Sequence, residues 1–320
     1  MAVRRVRRLR ECAEHAEVQR AYVQEGKLRP LGSDEGARKA RLGANPWKLG
    51  FVGGTDNHNG VASDVVEDNY IGSHGGYDKE LQRRREGEIG GWISNRDANP
   101  GAITGVWATR NTRAAIWDAM YSRETFATSG TRIKPRFFAG TGLDAKPQDA
   151  AALVRQGYEK GVPMGGTLNA LQATPTFTVQ ASKDPDGANL DRIQIIKGWV
   201  DAKGQPQEKI VDVVWSGDRK PDAKGKLPPV GNTVDLKTAL YTNAIGAAEL
   251  MGSWKDPAFD PAQYAVYYVR VLEIPTPRWT TYDAVRNNLP LLKDVPAVIQ
   301  ERAWTSPIWY SPSPQAIARQ

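Results

Sequence analysis

From about Thr174 onward the chain is built of short β-branched and aromatic runs cut by turn clusters, and few folds accommodate that pattern. Thr176 to Ser182 alternates, with Phe177, Val179 and Ala181 on one face and Thr176, Thr178 and Gln180 on the other. Side chains two apart on a strand share a face, so the run predicts a strand. Arg192 to Val200, Lys209 to Trp215 and Tyr264 to Ile274 predict three more, with Val211, Val213 and Trp215 on one face. Asp184-Pro185-Asp186-Gly187, Ala202-Lys203-Gly204-Gln205 and Pro228-Pro229-Val230-Gly231-Asn232 separate them as turns. Strands at this spacing predict an all-β, sandwich-like domain over 174–320 with an irregular tail. Its expected core includes Phe177, Val211, Val213, Trp215, Tyr267 and Val269.

The upstream half reads differently. Residues 1–42, rich in Arg, Glu, Ala and Gln, predict an exposed helical segment broken between Pro30 and Ser33, and Asn45-Pro46 is a turn signal. Lys48 to Val52 predicts a short buried strand running into Gly53-Gly54. Residues 59–102 read as a long excursion with one charged helical piece, Asp78 to Glu88; loops of such length are commonly functional or disordered. Thr112 is placed to cap a helix over 112–123, since Ala115, Ile116, Ala119 and Met120 recur at helical spacing. Thr125 to Thr128 predicts a strand ended by Ser129-Gly130. Strand, loop, helix and strand in that order predict an α/β unit over 43–173.

Composition narrows the function classes. The single Cys12 excludes an internal disulfide framework and a cysteine zinc site. No apolar run approaches the roughly 18 residues that cross a membrane, and no signal peptide precedes residue 20, so compartment is left open and an exported parent protein remains compatible. Net charge is +7. Its dense runs, the arginines from 4 to 10 and at 83–85, are not interleaved with aromatics, so nucleic acid is not an expected partner. The tryptophans read as packing residues.

Among only three histidines, His58 stands in Gly54-Thr55-Asp56-Asn57-His58-Asn59-Gly60. Asp56 and His58, two apart past an apolar run, can offer one carboxylate and one imidazole to a shared metal; that donor pair suits Zn, Mn or Fe. The other reading is a turn in which Asp56 caps backbone and His58 lies on the surface. His74, flanked by glycines in Gly72-Ser73-His74-Gly75-Gly76, is a third candidate ligand; His15 on a polar stretch is given no role. Arg123, Thr128 and Ser129 border the 125–128 strand and could hold a substrate anion through guanidinium and backbone N–H groups; the alternative is an ordinary strand and turn. The G-x-S-x-G elbow, the P-loop and G-x-G-x-x-G are all absent.

Residues 54–60 resemble the last metal motif of the PHP (polymerase and histidinol phosphatase) superfamily. With Asn45 to Gly50, Pro100 to Ala108, Asn111-Thr112-Arg113, Arg123 to Ile133, Asn189 to Ile195, Ile274 to Ala284 and Gln300 to Tyr310, the chain over 43–312 resembles the C-terminal half of the domain-of-unknown-function 3604 family, a PHP-related group. The resemblance implies a metal-dependent hydrolase: the C-terminal part of a β/α barrel, with Asp56 and His58 as ligands to divalent Mn, Zn or Fe, and a small anionic ester of phosphate type as substrate. The superfamily's first motif, His-x-His, has no counterpart here, and residues 1–42 fall outside the resemblance. The chain is therefore expected to be a fragment, weakly active or inactive alone, its metals incompletely held or absent, with an N-terminal half supplied by a longer gene product. The competing expectation is a non-catalytic β-sandwich binding module or a degenerate remnant.

Overall fold

The computed structural model describes residues 48–61, 65–91, 93–201 and 205–314. The helical reading of 1–42, the turn at Asn45-Pro46, Cys12, His15 and the arginines from 4 to 10 lie outside these residues. In chain order the helices are α1 (Leu81–Glu86), α2 (Arg113–Tyr121), α3 (Ala150–Lys160) and α4 (Trp279–Arg286). The strands are β1 (Glu88–Ile89), β2 (Ile93–Ser94), β3 (Ile103–Val106), β4 (Thr125–Thr128), β5 (Lys134–Gly140), β6 (Val162–Pro163), β7 (Thr167–Asn169), β8 (Thr176–Ser182), β9 (Leu190–Val200), β10 (Pro206–Trp215), β11 (Glu249–Lys255), β12 (Ala265–Glu273), β13 (Thr276–Pro277), β14 (Val298–Ile299), β15 (Arg302–Thr305) and β16 (Ile308–Ser311).

Two open sheets carry the architecture. The larger runs β10-β9-β12-β15-β4-β3, with β16 joining β12 to β7; the smaller runs β11-β8-β5-β6. Every pairing is antiparallel except β16 with β7. The inner faces meet in one core: Phe137, Phe177, Val179 and Ala181 from the small sheet against Ile193, Ile195, Tyr267, Val269 and Val271 from the large one. The Phe177 and Tyr267 ring centroids lie 4.3 Å apart. Each such side chain contributes about 1.5–3 kcal/mol by leaving water. The outer face of the small sheet is covered by α3, which packs Leu153 on Phe138. Gly157 makes this possible, because a Cβ there would sit 2.4 Å from Phe138 Cγ. With both faces covered, β8 is buried at every residue from Thr176 to Ala181 and shows no polar side.

This β-rich fold overturns the expected β/α barrel part over 43–173. Strand, helix, strand order does not fix strand direction. β3 and β4 flank α2 in sequence yet pair antiparallel, Ile103 opposite Thr128 and Val106 opposite Thr125. Several strands before residue 174 also pair with strands after it, β4 with β15, β5 with β8 and β7 with β16. Lys48 to Val52 forms no ladder. It rests on the sheet through other contacts: Phe51 N–H donates to Ser306 Oγ at 2.8 Å, and Thr125 Oγ1 donates to Phe51 O at 2.8 Å.

Other expectations hold. Thr112 caps α2 by accepting from Ala115 N at 3.3 Å, and β4 spans the foreseen residues. Phe177, Tyr267 and Val269 are core. Val211, Val213 and Trp215 are only partly buried: β10 is an edge strand of the large sheet, and a bulge between Asp212 and Val214 breaks its alternation.

Candidate functional site

The Asp56–His58 segment reaches its place along the edge strand β3. Gly53 N–H donates to Thr104 Oγ1 at 2.9 Å, Thr104 Oγ1 donates to Gly53 O at 2.7 Å, and Ala102 N–H donates to Gly54 O at 3.2 Å. Gly53 is needed there: a Cβ would lie 2.6 Å from Ile103 O. At Asp56 the backbone enters the left-handed region, φ +52°. The segment is thus not a regular strand, and the shared facing of residues i and i+2 no longer follows. Asp56 and His58 are both exposed.

The excursion returns to meet them. His58 N–H donates to Ser73 O at 2.6 Å, and Asn59 Nδ2 donates to Gly72 O at 2.7 Å. His58 and His74 stack, ring centroids 5.1 Å apart and planes at 15°. Buried Asp78 shapes the turn, accepting from Ser73 N at 2.9 Å and His74 N at 2.8 Å. Gly72, φ +98°, passes so close that a Cβ would meet Asp78 Oδ1 at 2.6 Å. Ser73 Oγ bonds His74 Nδ1 at 2.8 Å, which leaves Nε2 as that ring's outward nitrogen.

The chemistry of this donor set falls short of a finished metal centre. Imidazole lone pairs lie in the ring plane, so two near-parallel rings aim side by side, and one must turn before both face the same ion. Asp78 is committed to backbone amides. Among the described residues no group of three His, Cys, Asp or Glu is disposed to hold a metal ion. Two imidazoles stand together; the third and fourth ligands of a structural or catalytic site do not.

The anion-binding candidates are not brought together. Arg123 and Ser129 are separated by the length of β4, roughly 13 Å. Arg123 donates through Nε and Nη2 to Gly165 O at 3.1 and 3.0 Å. Thr128 is buried, its Oγ1 accepting from Gly130 N at 3.3 Å. Ser129 Oγ donates to the Glu301 carboxylate and accepts from Arg302 N at 2.8 Å. Of the 83–85 arginines, Arg84 and Arg85 turn inward while Arg83 stays exposed. Arg84 Nε pairs with Asp283 on α4 at 3.0 Å, and Arg85 donates to Thr280 O and Pro290 O.

Sequence reasoning missed a buried group of acids at the end of the large sheet. β12 points Ala265, Tyr267, Val269 and Val271 inward, and Glu273 continues that face with no exposure. Glu273 N–H donates to Glu301 O at 2.9 Å, extending the β12–β15 register by one pair, so the two glutamates stand opposite each other. Both Glu273 carboxylate oxygens lack a hydrogen bond; the Thr131 hydroxyl and Ala188 amide are near but not aligned. Burial pushes the Glu273 carboxyl up to about 8. Burial, then the Glu67 and Glu273 carboxylates, hold Glu301 well above the usual range. Burial raises Glu67 to about 7, against the hydrogen bond it accepts from Trp279 N at the start of α4. The Tyr70 ring, tilted at 53° with its centroid 4.8 Å from that of Trp279, lies two residues before the histidine turn in sequence. The run Ala265 to Glu273 carried the signal, an acid in phase with the apolar face.

No curated protein and no solved structure matches the chain. One family model does, and it begins upstream of the expected residue 43: it matches residues 6–312, so most of the 1–42 segment lies within it. The chain belongs to that family, described as protein of unknown function (DUF3604).

Proposed function

We propose that this chain contributes to a metal-dependent hydrolase of small phosphate-type or related esters, as its likeness to the PHP superfamily implies, with His58 and His74 as imidazole donors to Mn, Zn or Fe. The observation that supports the reading is the pairing, at 5.1 Å, of two imidazoles that stand sixteen residues apart in the chain. Held at the protein surface, they form half of a metal site; among the described residues no group of three such donors is already assembled. Affinity is therefore weak and turnover slow. Asp56, beside them in sequence and exposed, is the carboxylate free to swing toward the ion.

Metal titration of the purified chain tests this, beside an Asp56→Ala, His58→Ala double variant and a His74→Ala variant. Weak Mn or Zn binding by the parent, lost in both variants, is expected, with aryl phosphate or sulfate ester turnover no faster than in the double variant. Unchanged binding in the variants would overturn the metal reading. Stoichiometric metal at two sites, with activity abolished by the double variant, would overturn the half-site reading. A binding module without catalysis is the second reading; it is favoured by the commitment of Arg123 and Ser129 to protein partners.

A further inference from the structure

Lys197 and Asp256 join the two sheets through the core. Lys197 stands on β9 of the large sheet, and Asp256 directly follows β11 of the small one. Their side chains are 3% and 0% exposed, and Nζ lies 2.5 Å from Oδ2. Nζ also donates to Ala258 O at 2.9 Å and sits 5.0 Å from the Trp199 ring centroid and 5.8 Å from that of Tyr267. The Tyr267 hydroxyl donates to the same Oδ2 at 2.9 Å, and Ala258 N–H donates to Oδ1 at 3.0 Å. Among the described residues no other ionisable side chain is hydrogen-bonded to the pair.

A salt bridge so placed is poorly solvated on both sides, since two charges taken from water are repaid only in part by their attraction. Proton transfer within the pair gives a free amine against a carboxylic acid, both neutral. A fixed, dry contact of this kind turns a bimolecular condensation into an intramolecular one, with the reacting groups already in place.

We propose that Lys197 and Asp256 condense into an isopeptide bond that links the two sheets. Nζ attacks Asp256 Cγ. Charge that develops on Oδ1 meets the Ala258 N–H, placed as an oxyanion donor. The Tyr267 hydroxyl passes a proton to Oδ2 and regains one from the attacking nitrogen. The Nζ–Cγ bond forms, the Cγ–Oδ2 bond breaks, and Oδ2 departs as water. No oxidant, reductant or cofactor enters. The remaining N–H keeps its bond to Ala258 O.

Intact mass in denaturant tests this on the full chain, with no requirement that any variant fold. The parent is expected to weigh one water less than its sequence requires, and Lys197→Ala to carry its full sequence mass. Tryptic digestion should yield one branched species joining the peptides that contain Lys197 and Asp256. A parent at full sequence mass overturns the proposal. A water loss that persists in Lys197→Ala, as from cyclisation at Asp186-Gly187, overturns it equally.

Discussion

Glu273 makes stability depend on pH in an unusual direction. Its carboxyl is fully buried and unpaired, and its pKa stands at about 8 against an ordinary 4.5. Between those values the folded chain keeps a proton that the unfolded chain has released. The folded state therefore binds more protons, and the stability this group contributes, complete below 4.5, is lost as pH rises through about 8. Each pKa unit corresponds to about 1.4 kcal/mol, and integration from pH 5 to pH 8 gives a loss of about 3.5 kcal/mol from Glu273 alone. Glu67 and Glu301, raised for the same reason of burial, add with the same sign. That loss is a large share of the 5–15 kcal/mol that typically holds a domain folded.

Urea unfolding followed by tryptophan fluorescence at pH 5, 6, 7 and 8 reads this out. The midpoint of the parent is expected to fall across the series. Glu273→Gln, neutral at every pH and nearly the same shape, is expected to fall less steeply and to exceed the parent at pH 8. A parent midpoint that is flat or rises with pH, or a variant that falls in parallel with the parent, would refute the reasoning.

Three further substitutions probe how the excursion is held. Arg84→Ala leaves Asp283 buried without its 3.0 Å partner and should cost about 3–5 kcal/mol; a change under about 1 kcal/mol in a thermal melt would show that this arginine run is a surface feature after all. Gly53→Ala drives a Cβ to 2.6 Å from Ile103 O and should cost about 1–3 kcal/mol, visible as faster amide exchange at Ala102; unchanged exchange would mean the segment does not rest on β3. Gly72→Ala meets both a φ of +98° and the Asp78 carboxylate and should cost about 1–3 kcal/mol locally while weakening metal binding as much as His74→Ala does; full binding would detach the histidine turn from the site.

What the sequence made legible was local. β4, β8, β9 and β12 were readable because each is a run whose own residues decide it, and Thr112 because a cap needs only its next turn. Partners far along the chain were not readable. Ser129 looked like part of an anion-binding loop; its hydroxyl is engaged by Glu301, 172 residues on. Arg123 is spent on Gly165, and Arg84 and Arg85 on α4. The barrel expectation failed for the same reason, since strand direction is a property of pairing. His74 shows the converse: two flanking glycines announced a turn able to approach another site, and that turn meets His58. The buried acids carry the stronger lesson for reading such chains. A glutamate in phase with four inward apolar residues breaks the rule that core positions are apolar, and stable folds tolerate such a break only where the group is paired or neutral. Glu273 accepts no hydrogen bond, so burial favours its neutral form, and it faces Glu301 at the end of the sheet with Glu67 near enough to raise that second acid further.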